Sequence, residues 1–319
     1  MPGNLIRVFI AASLMLFVAA ASAHDGPTTW DSVKRDMREN VYHDRNVSEK
    51  GTVYCGCDWE WRGRSGGRII LDDSCPFEIR NNETRGERIE WEHILPASTM
   101  AWWADRECWD EGGRSECSSE DPEYVAKYTD MHNLTPSIGE MNSDRSNFAF
   151  SSVNRPAKHG VCDSRVNFDE RTFEPRDEAK GFVARAYFYM AYTYDIPLPR
   201  GKQRTLMAWD EAHPPTAWER ERNQRIAERI GRENPFITGD RKWRLDKPAS
   251  GKGLDSVNGE YQAQDDESAY EGPVRGNTNS NIYHLPNCPS YDRVGEQNRR
   301  HFESEEAAEE AGFRKAGNC

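Results

Sequence analysis

A Glu and a His stand side by side in RIEWEHILPAS, residues 88–98. Glu92 offers a hard carboxylate oxygen of the kind Mg²⁺ takes, and a neutral His93 can accept a proton from water. Along a strand, neighbouring side chains point to opposite faces, so the two serve one site only where the strand stops and the chain turns. Pro96 supplies such a stop. A second polar run, TDMHNLTPSIGEMNSDRSNF at residues 129–148, holds His132, Asn133, Asn142, Asp144, Arg145 and Asn147. The amide oxygen of Asn133 would complete a carboxylate-and-amide site that leaves positions for water and a phosphate oxygen, as Mg²⁺ prefers. The same residue types also build Asx-turn loops, and composition alone leaves that reading open. Between the runs lies CWDEGGRSEC, residues 108–117. A Cys108–Cys117 bridge would close this loop and fix Arg114, whose planar fork suits a phosphodiester; an ordinary surface arginine is the plain alternative. No H-E-x-x-H zinc motif, Gly-rich P-loop or G-x-S-x-G elbow occurs.

The elements that must position these residues are partly legible. Phe182, Val183, Ala186, Tyr187, Met190 and Tyr194 recur at spacings of three and four ahead of Pro197, which predicts a helix with an apolar stripe. A second helix is announced by Pro214, Pro215 and the capping-box pair Thr216 and Glu219, and should end near Gly231. Its Arg220, Arg222, Arg225 and Arg229 read as a solvated face. Residues 52–54 and 68–71 have the content of short strands, with Gly66-Gly67 as a turn. Residues 247–275 carry almost no aliphatic side chains and predict a flexible linker. A short helix over residues 305–311, closed by Gly312, belongs to the segment after it.

The chain has 319 residues and a formal net charge of −12, so it does not coat nucleic acid by bulk positive charge. Any phosphate site must be local, and Arg145, Arg155, Lys158 and Arg165 are candidates for a basic rim. With 30% charged residues a multi-spanning membrane protein is excluded, while 10 Trp and 12 Phe argue for a packed core. Arg7, an apolar run over residues 8–21 and Ala21-Ser22-Ala23 read as a signal peptide ending at Ala23. The mature chain is therefore expected outside the cytoplasm, secreted or periplasmic, without a membrane span. All 8 Cys lie in that mature part and predict a disulfide set. Cys55, Cys57, Cys75, Cys108, Cys117 and Cys162 form one group, Cys288 and Cys319 another, with pairing expected within each. Cys55 and Cys57 are too close for a comfortable mutual bridge and should pair outward.

The three polar segments, together with YCGC (residues 54–57), KGFVARAYFYM (180–190) and NPF (234–236), closely resemble the bacterial endonuclease I family. The likeness spans residues 29–237. It implies an α+β protein: a ββα-metal (His-Me finger) core inside a mixed, largely helical domain over residues 24–244. It further implies an exported, disulfide-containing nuclease that cleaves DNA, with RNA left open, at little base specificity. By position, Glu92 and Asn133 would hold one Mg²⁺, His93 would be the general base, and Arg114 would contact the scissile or product phosphate. The resemblance implies 5′-phosphate and 3′-hydroxyl products, and a monomer is expected. Two departures stand out: the interval from His93 to Arg114 is slightly long, and Arg220 stands where some members have Cys. The rival class is an exported DNA-binding or adhesive module that has lost catalysis.

Residues 276–319 read as a separate small α+β module resembling the metal-binding domain of the Ada repair protein. The positions matching that domain's four zinc-binding cysteines are His284, Cys288, Ala316 and Cys319. With Ala316 no closed four-ligand site forms from these residues. A Cys288–Cys319 disulfide is expected in place of zinc, with His301 as the substitute ligand if zinc binds after all.

Overall fold

The computed structural model describes residues 27–47, 51–102, 106–245 and 274–319, the last stretch apart from 287, 289, 295–297, 303–304 and 318. The expected signal peptide and nearly all of the expected linker fall outside the described residues.

The chain opens with α1 (Trp30–Asp36), started by a reciprocal capping box between Thr29 and Ser32 and continued by a π-helical turn, Met37–Val41. Val33, Met37 and Val41, four apart, are buried on one face. β1 (Trp59–Arg62) and β2 (Gly66–Ile69) make an antiparallel hairpin. The turn is at residues 63–65, with Gly63 at φ +58°, so Gly66 and Gly67 belong to the strand and not to the expected turn. Nor is 52–54 a strand. It forms a tight turn in which Gly56 N donates to Thr52 O and Gly56 sits at φ +75°. Cys55 and Cys57 flank that glycine and are bridged to different partners, Cys162 and Cys75.

After α2 (Glu83–Gly86) come β3 (Ile89–His93), α3 (Ala97–Trp102), α4 (Arg106–Glu120) and α5 (Pro122–Tyr128). A 3₁₀ turn, Met131–Asn133, leads into β4 (Leu134–Ile138), antiparallel to β3, and α6 (Gly139–Arg145) follows at once. This is the ββα unit. β5 (Ala149–Phe150), β6 (Arg165–Asn167) and β7 (Thr172–Glu174) form a small sheet in the order β5-β7-β6.

α7 (Asp177–Tyr194) is the axis of the domain. The expected stripe is too narrow, since every residue from Val183 to Tyr194 is buried. A helix apolar around its whole circumference lies inside a core rather than on it. Its one buried cation, Arg185, is held by Glu219 at 2.6 and 2.7 Å and by Asp210 at 2.6 Å. α8 (Arg200–Ala212), α9 (Ala217–Ile230) and α10 (Pro235–Thr238) complete the domain. Thr216 caps α9 and Gly231 ends it in the left-handed conformation, as the sequence predicts. The solvated-face reading of α9 needs correcting. Arg222 is buried, donating from Nε to Tyr42 OH (2.8 Å) and from Nη2 to the carbonyls of Met131 (2.8 Å) and Leu134 (2.6 Å). Arg225 donates to Val41 O and pairs with Asp44, while Arg220 and Arg229 stay exposed.

The C-terminal module has its own four-stranded sheet, β10-β8-β9-β11, from β8 (Val274–Asn277), β9 (Ile282–His284), β10 (Arg299–Phe302) and β11 (Arg314–Lys315). Its first described strand, β8, includes Val274 and Arg275, two residues ahead of Gly276. Helix α11 (Glu305–Glu310) lies between β10 and β11, with Gly312 at φ +83° behind it. Val274, Tyr283, Leu285, Phe302, Ala308 and Phe313 form a separate core. Four disulfides pair as Cys55–Cys162, Cys57–Cys75, Cys108–Cys117 and Cys288–Cys319, within the two expected groups. Among the described residues no helix is long and apolar enough to cross a membrane.

Candidate active site

In the β3–β4 ladder Glu92 faces Thr135 and His93 faces Leu134, and His93 is the last residue of its strand. Ile94 N still donates to Asn133 O (3.0 Å), after which the chain turns at Pro96 into α3. The strand end is what brings both neighbouring side chains to one cleft of about 420 Å³. Glu92, His93, Arg114, Asn142, Arg145 and Asn147 are among its lining residues.

His93 is only 7% exposed and packs in a three-ring cluster with Trp30 (5.0 Å) and Tyr128 (4.6 Å), which also touch each other (4.9 Å). Its Nε2 lies 2.8 Å from the carbonyl oxygen of Tyr128. A carbonyl only accepts, so Nε2 carries the proton and Nδ1 keeps the lone pair. Burial, aided by the nearby Arg114 and Arg145 charges, pushes its pKa down to about 3, so the ring is neutral throughout the ordinary pH range. The arrangement supplies a base held in one tautomer.

Glu92, 3% exposed, has its Oε1 engaged twice. Tyr54 OH donates to it at 2.7 Å, and Arg145 Nη1 pairs with it at 3.2 Å. Burial raises the Glu92 pKa above the usual carboxylate value, and the Arg145 charge opposes that rise. Arg145 also donates to the carbonyls of His93 (3.0 Å) and Ile94, pinning the turn that follows β3. It is fully buried, so it cannot belong to the basic rim expected from the sequence. Arg165 is paired with Asp163 at 3.0 Å, and Arg155 and Lys158 are exposed.

The structure brings Glu92, His93 and Arg114 together but keeps Asn133 out of the cleft. Asn133 is 0% exposed, accepting from Leu95 N at 2.7 Å and donating to Leu95 O at 3.0 Å. Both ends of its amide are spent on the loop that carries Pro96, so its role is to clamp that loop against the start of β4. The amide on the cleft wall is Asn142, one turn into α6, whose Nδ2 donates to Glu90 Oε2 at 3.0 Å and so leaves the oxygen end for a ligand. The sequence held a signal for this choice. Asn133 precedes the strand segment, and Asn142 follows it on the helix that comes after the hairpin.

Arg114 follows Gly113, whose φ of 66° and ψ of −145° break α4 inside the Cys108–Cys117 loop. Its guanidinium lies 5.9 Å from the Tyr128 ring centre, over the residue whose carbonyl holds His93.

A buried carboxylate and a single-tautomer histidine at the end of a β-hairpin line one cleft with an amide on the following helix and an arginine, all set on a ββα unit. The family model described as Endonuclease I matches residues 29–240, and residues 255–315 match a second model, ArfC. The chain belongs to the endonuclease I family and is a nuclease, hydrolysing phosphodiester bonds. It is 37% identical over 236 residues to an extracellular deoxyribonuclease of Aeromonas hydrophila, covering 73% of this chain and 98% of that one. A periplasmic deoxyribonuclease of Aeromonas hydrophila is 37% identical over 231 residues, 72% of this chain and 93% of the relative. Endonuclease-1 of Buchnera aphidicola is 37% identical over 211 residues, 64% of this chain and 82% of the relative.

Proposed function

We propose that the chain is an exported, secreted or periplasmic, monomeric endonuclease that hydrolyses DNA with little base specificity, using one Mg²⁺. His93 is the general base, Glu92 and Asn142 are the metal ligands, and Arg114 contacts the phosphate. The names of the relatives support DNA as substrate and a location outside the cytoplasm; the catalytic roles rest on geometry. One observation carries them above the rest: Tyr128 O occupies Nε2 of a neutral, buried His93 and leaves Nδ1 toward the cleft that Glu92 and Asn142 line.

The donor set fits Mg²⁺. Among the described residues no three His, Cys, Asp or Glu gather, so the site is not a closed, all-protein cage. One carboxylate oxygen and one amide oxygen on a wet cleft leave the remaining positions to water and phosphate, the usual arrangement for this ion. With both partners of Glu92 on Oε1, Oε2 is the oxygen left to bind. When bound, the metal neutralises charge that builds on the phosphoryl group and the departing oxygen. His93 Nδ1 takes the proton of a water as its oxygen attacks phosphorus, the bond from phosphorus to the 3′ oxygen breaks, and that oxygen takes a proton from a solvent water, giving 5′-phosphate and 3′-hydroxyl ends. Arg114 binds the non-bridging oxygens through its fork. Few base contacts are expected in such a site, because contacts to phosphate and sugar carry no sequence information directly.

Incubating the purified mature chain with supercoiled plasmid tests this reading. Nicking and degradation are expected with Mg²⁺, and silence in excess EDTA. Full activity in EDTA would overturn the metal assignment.

A further inference from the structure

Among the described residues, two tryptophans line the cleft, and they are built differently. Trp91 is buried, and its Nε1 donates to Ser65 O at 2.8 Å, so it is part of the β3 packing. Trp109 is half-buried. It is packed against the core from one side, with Tyr124 tilted behind it at 6.3 Å. Cys108, next to it, is bridged to Cys117, so the indole is carried by the same short closed loop that carries Arg114. The cation assigned to the phosphate therefore lies five positions along the chain from an aromatic surface on the cleft wall. A nucleotide presents these two chemistries side by side, a π-face and a phosphodiester.

We propose that Trp109 is a base-contacting residue: its indole stacks on the nucleobase adjoining the scissile phosphodiester while Arg114 holds the phosphate. This rests on the reading of the cleft as a nucleic-acid cleavage site and adds to it how the substrate is oriented. Stacking needs only a π-face, which every base has, so the contact orients the nucleotide without selecting a sequence. The bridge ties both residues into one closed loop, so binding has less of that loop to order.

The test uses the full mature chain and a short single-stranded oligonucleotide in which one phosphodiester is the only hydrolysable linkage, the others being methylphosphonates. A matched oligonucleotide is abasic at the nucleotides flanking that linkage. Wild-type kcat/KM should be about 10-fold higher on the substrate with bases, the order expected for one base–aromatic stack. In Trp109→Ala that ratio should collapse toward one, and in Trp109→Phe it should be largely kept. Equal rates on both substrates in the wild type would overturn the proposal without recourse to any variant. A Trp109→Ala enzyme slower on both substrates with the ratio intact would overturn it too, showing a packing role only. Failure of the wild type to cut either substrate or plasmid would instead sink the cleavage reading itself.

Discussion

The β3–β4–α6 unit and the C-terminal module are made of similar parts, short strands, one short helix and nearby disulfides, yet they place charge differently. In the first, Glu92, His93 and Arg145 are all buried at the edge of a cleft. In the second, Arg275 is buried with its guanidinium 4.0 Å from the Tyr291 ring centre, and the carboxylates sit at the border of the apolar core. Tyr283 OH lies 2.9 Å from a carboxylate oxygen of each of Glu305 and Glu309 and shares its one proton between them, and Lys315 pairs with Glu305 at 2.7 Å. Burying ions costs several kcal/mol each unless partners offset it. The main domain also buries Arg185 and Arg222 away from the cleft, each held by partners, so it meets that cost in its core as well as at the cleft. In the module the two cysteine sulfurs are bonded to each other.

The widest gap between the two regions should appear in turnover. His93→Ala is expected to lower plasmid cleavage by about 10²- to 10⁴-fold with DNA binding largely kept, the typical cost of a lost general base. Near-normal turnover would move the role elsewhere and erase the contrast. Stability should separate them next. Cys55 and Cys162 are 107 residues apart and Cys288 and Cys319 are 31 apart. On loop length alone, removing the first bridge costs about 5 kcal/mol and the second about 4. Only the first cost should fall on the catalytic domain. Denaturant melts of Cys55→Ala/Cys162→Ala and Cys288→Ala/Cys319→Ala, each followed by a cleavage assay, check this; a module double variant that unfolds the nuclease would show the two are one cooperative unit.

Within the main domain, two asparagines should respond in different ways. Asn142→Ala should raise the Mg²⁺ concentration needed for half-maximal cleavage with little change in the melt. Asn133→Ala should lower stability by about 1–3 kcal/mol, because the Leu95 backbone loses both partners, while the Mg²⁺ titration stays where it was. The reverse pattern would return the metal to Asn133. The smallest effect is expected from removing residues 274–319, which should leave kcat/KM on short oligonucleotides within about two-fold. A folded truncation without activity would bring the module into the site.

Much of this contrast was legible in the residues. Glu92 and His93 could be paired because Pro96 marks the end of their strand. Thr216, Glu219 and Gly231 set the limits of α9 because caps are local chemistry. What was not legible depends on partners distant in the chain. Arg222 reads as a surface cation from its neighbours, yet it reaches the carbonyls of Met131 and Leu134, some ninety residues away. Asn133 and Asn142 are the same residue type in one polar run, and only the hairpin register shows which one meets the cleft. The turn at residues 52–57 looks like a strand from its residue types, and nothing local shows the separate destinations of Cys55 and Cys57.

Those destinations also set a schedule. A chain threaded outward from its N-terminus presents Cys55, Cys57 and Cys75 to the oxidising side long before Cys162, so pairing in order of arrival joins Cys55 to the wrong partner. The finished connectivity is nested: Cys55–Cys162 encloses both Cys57–Cys75 and Cys108–Cys117. Maturation therefore waits for a late thiol, since Cys55 has its partner only once Cys162 is in place.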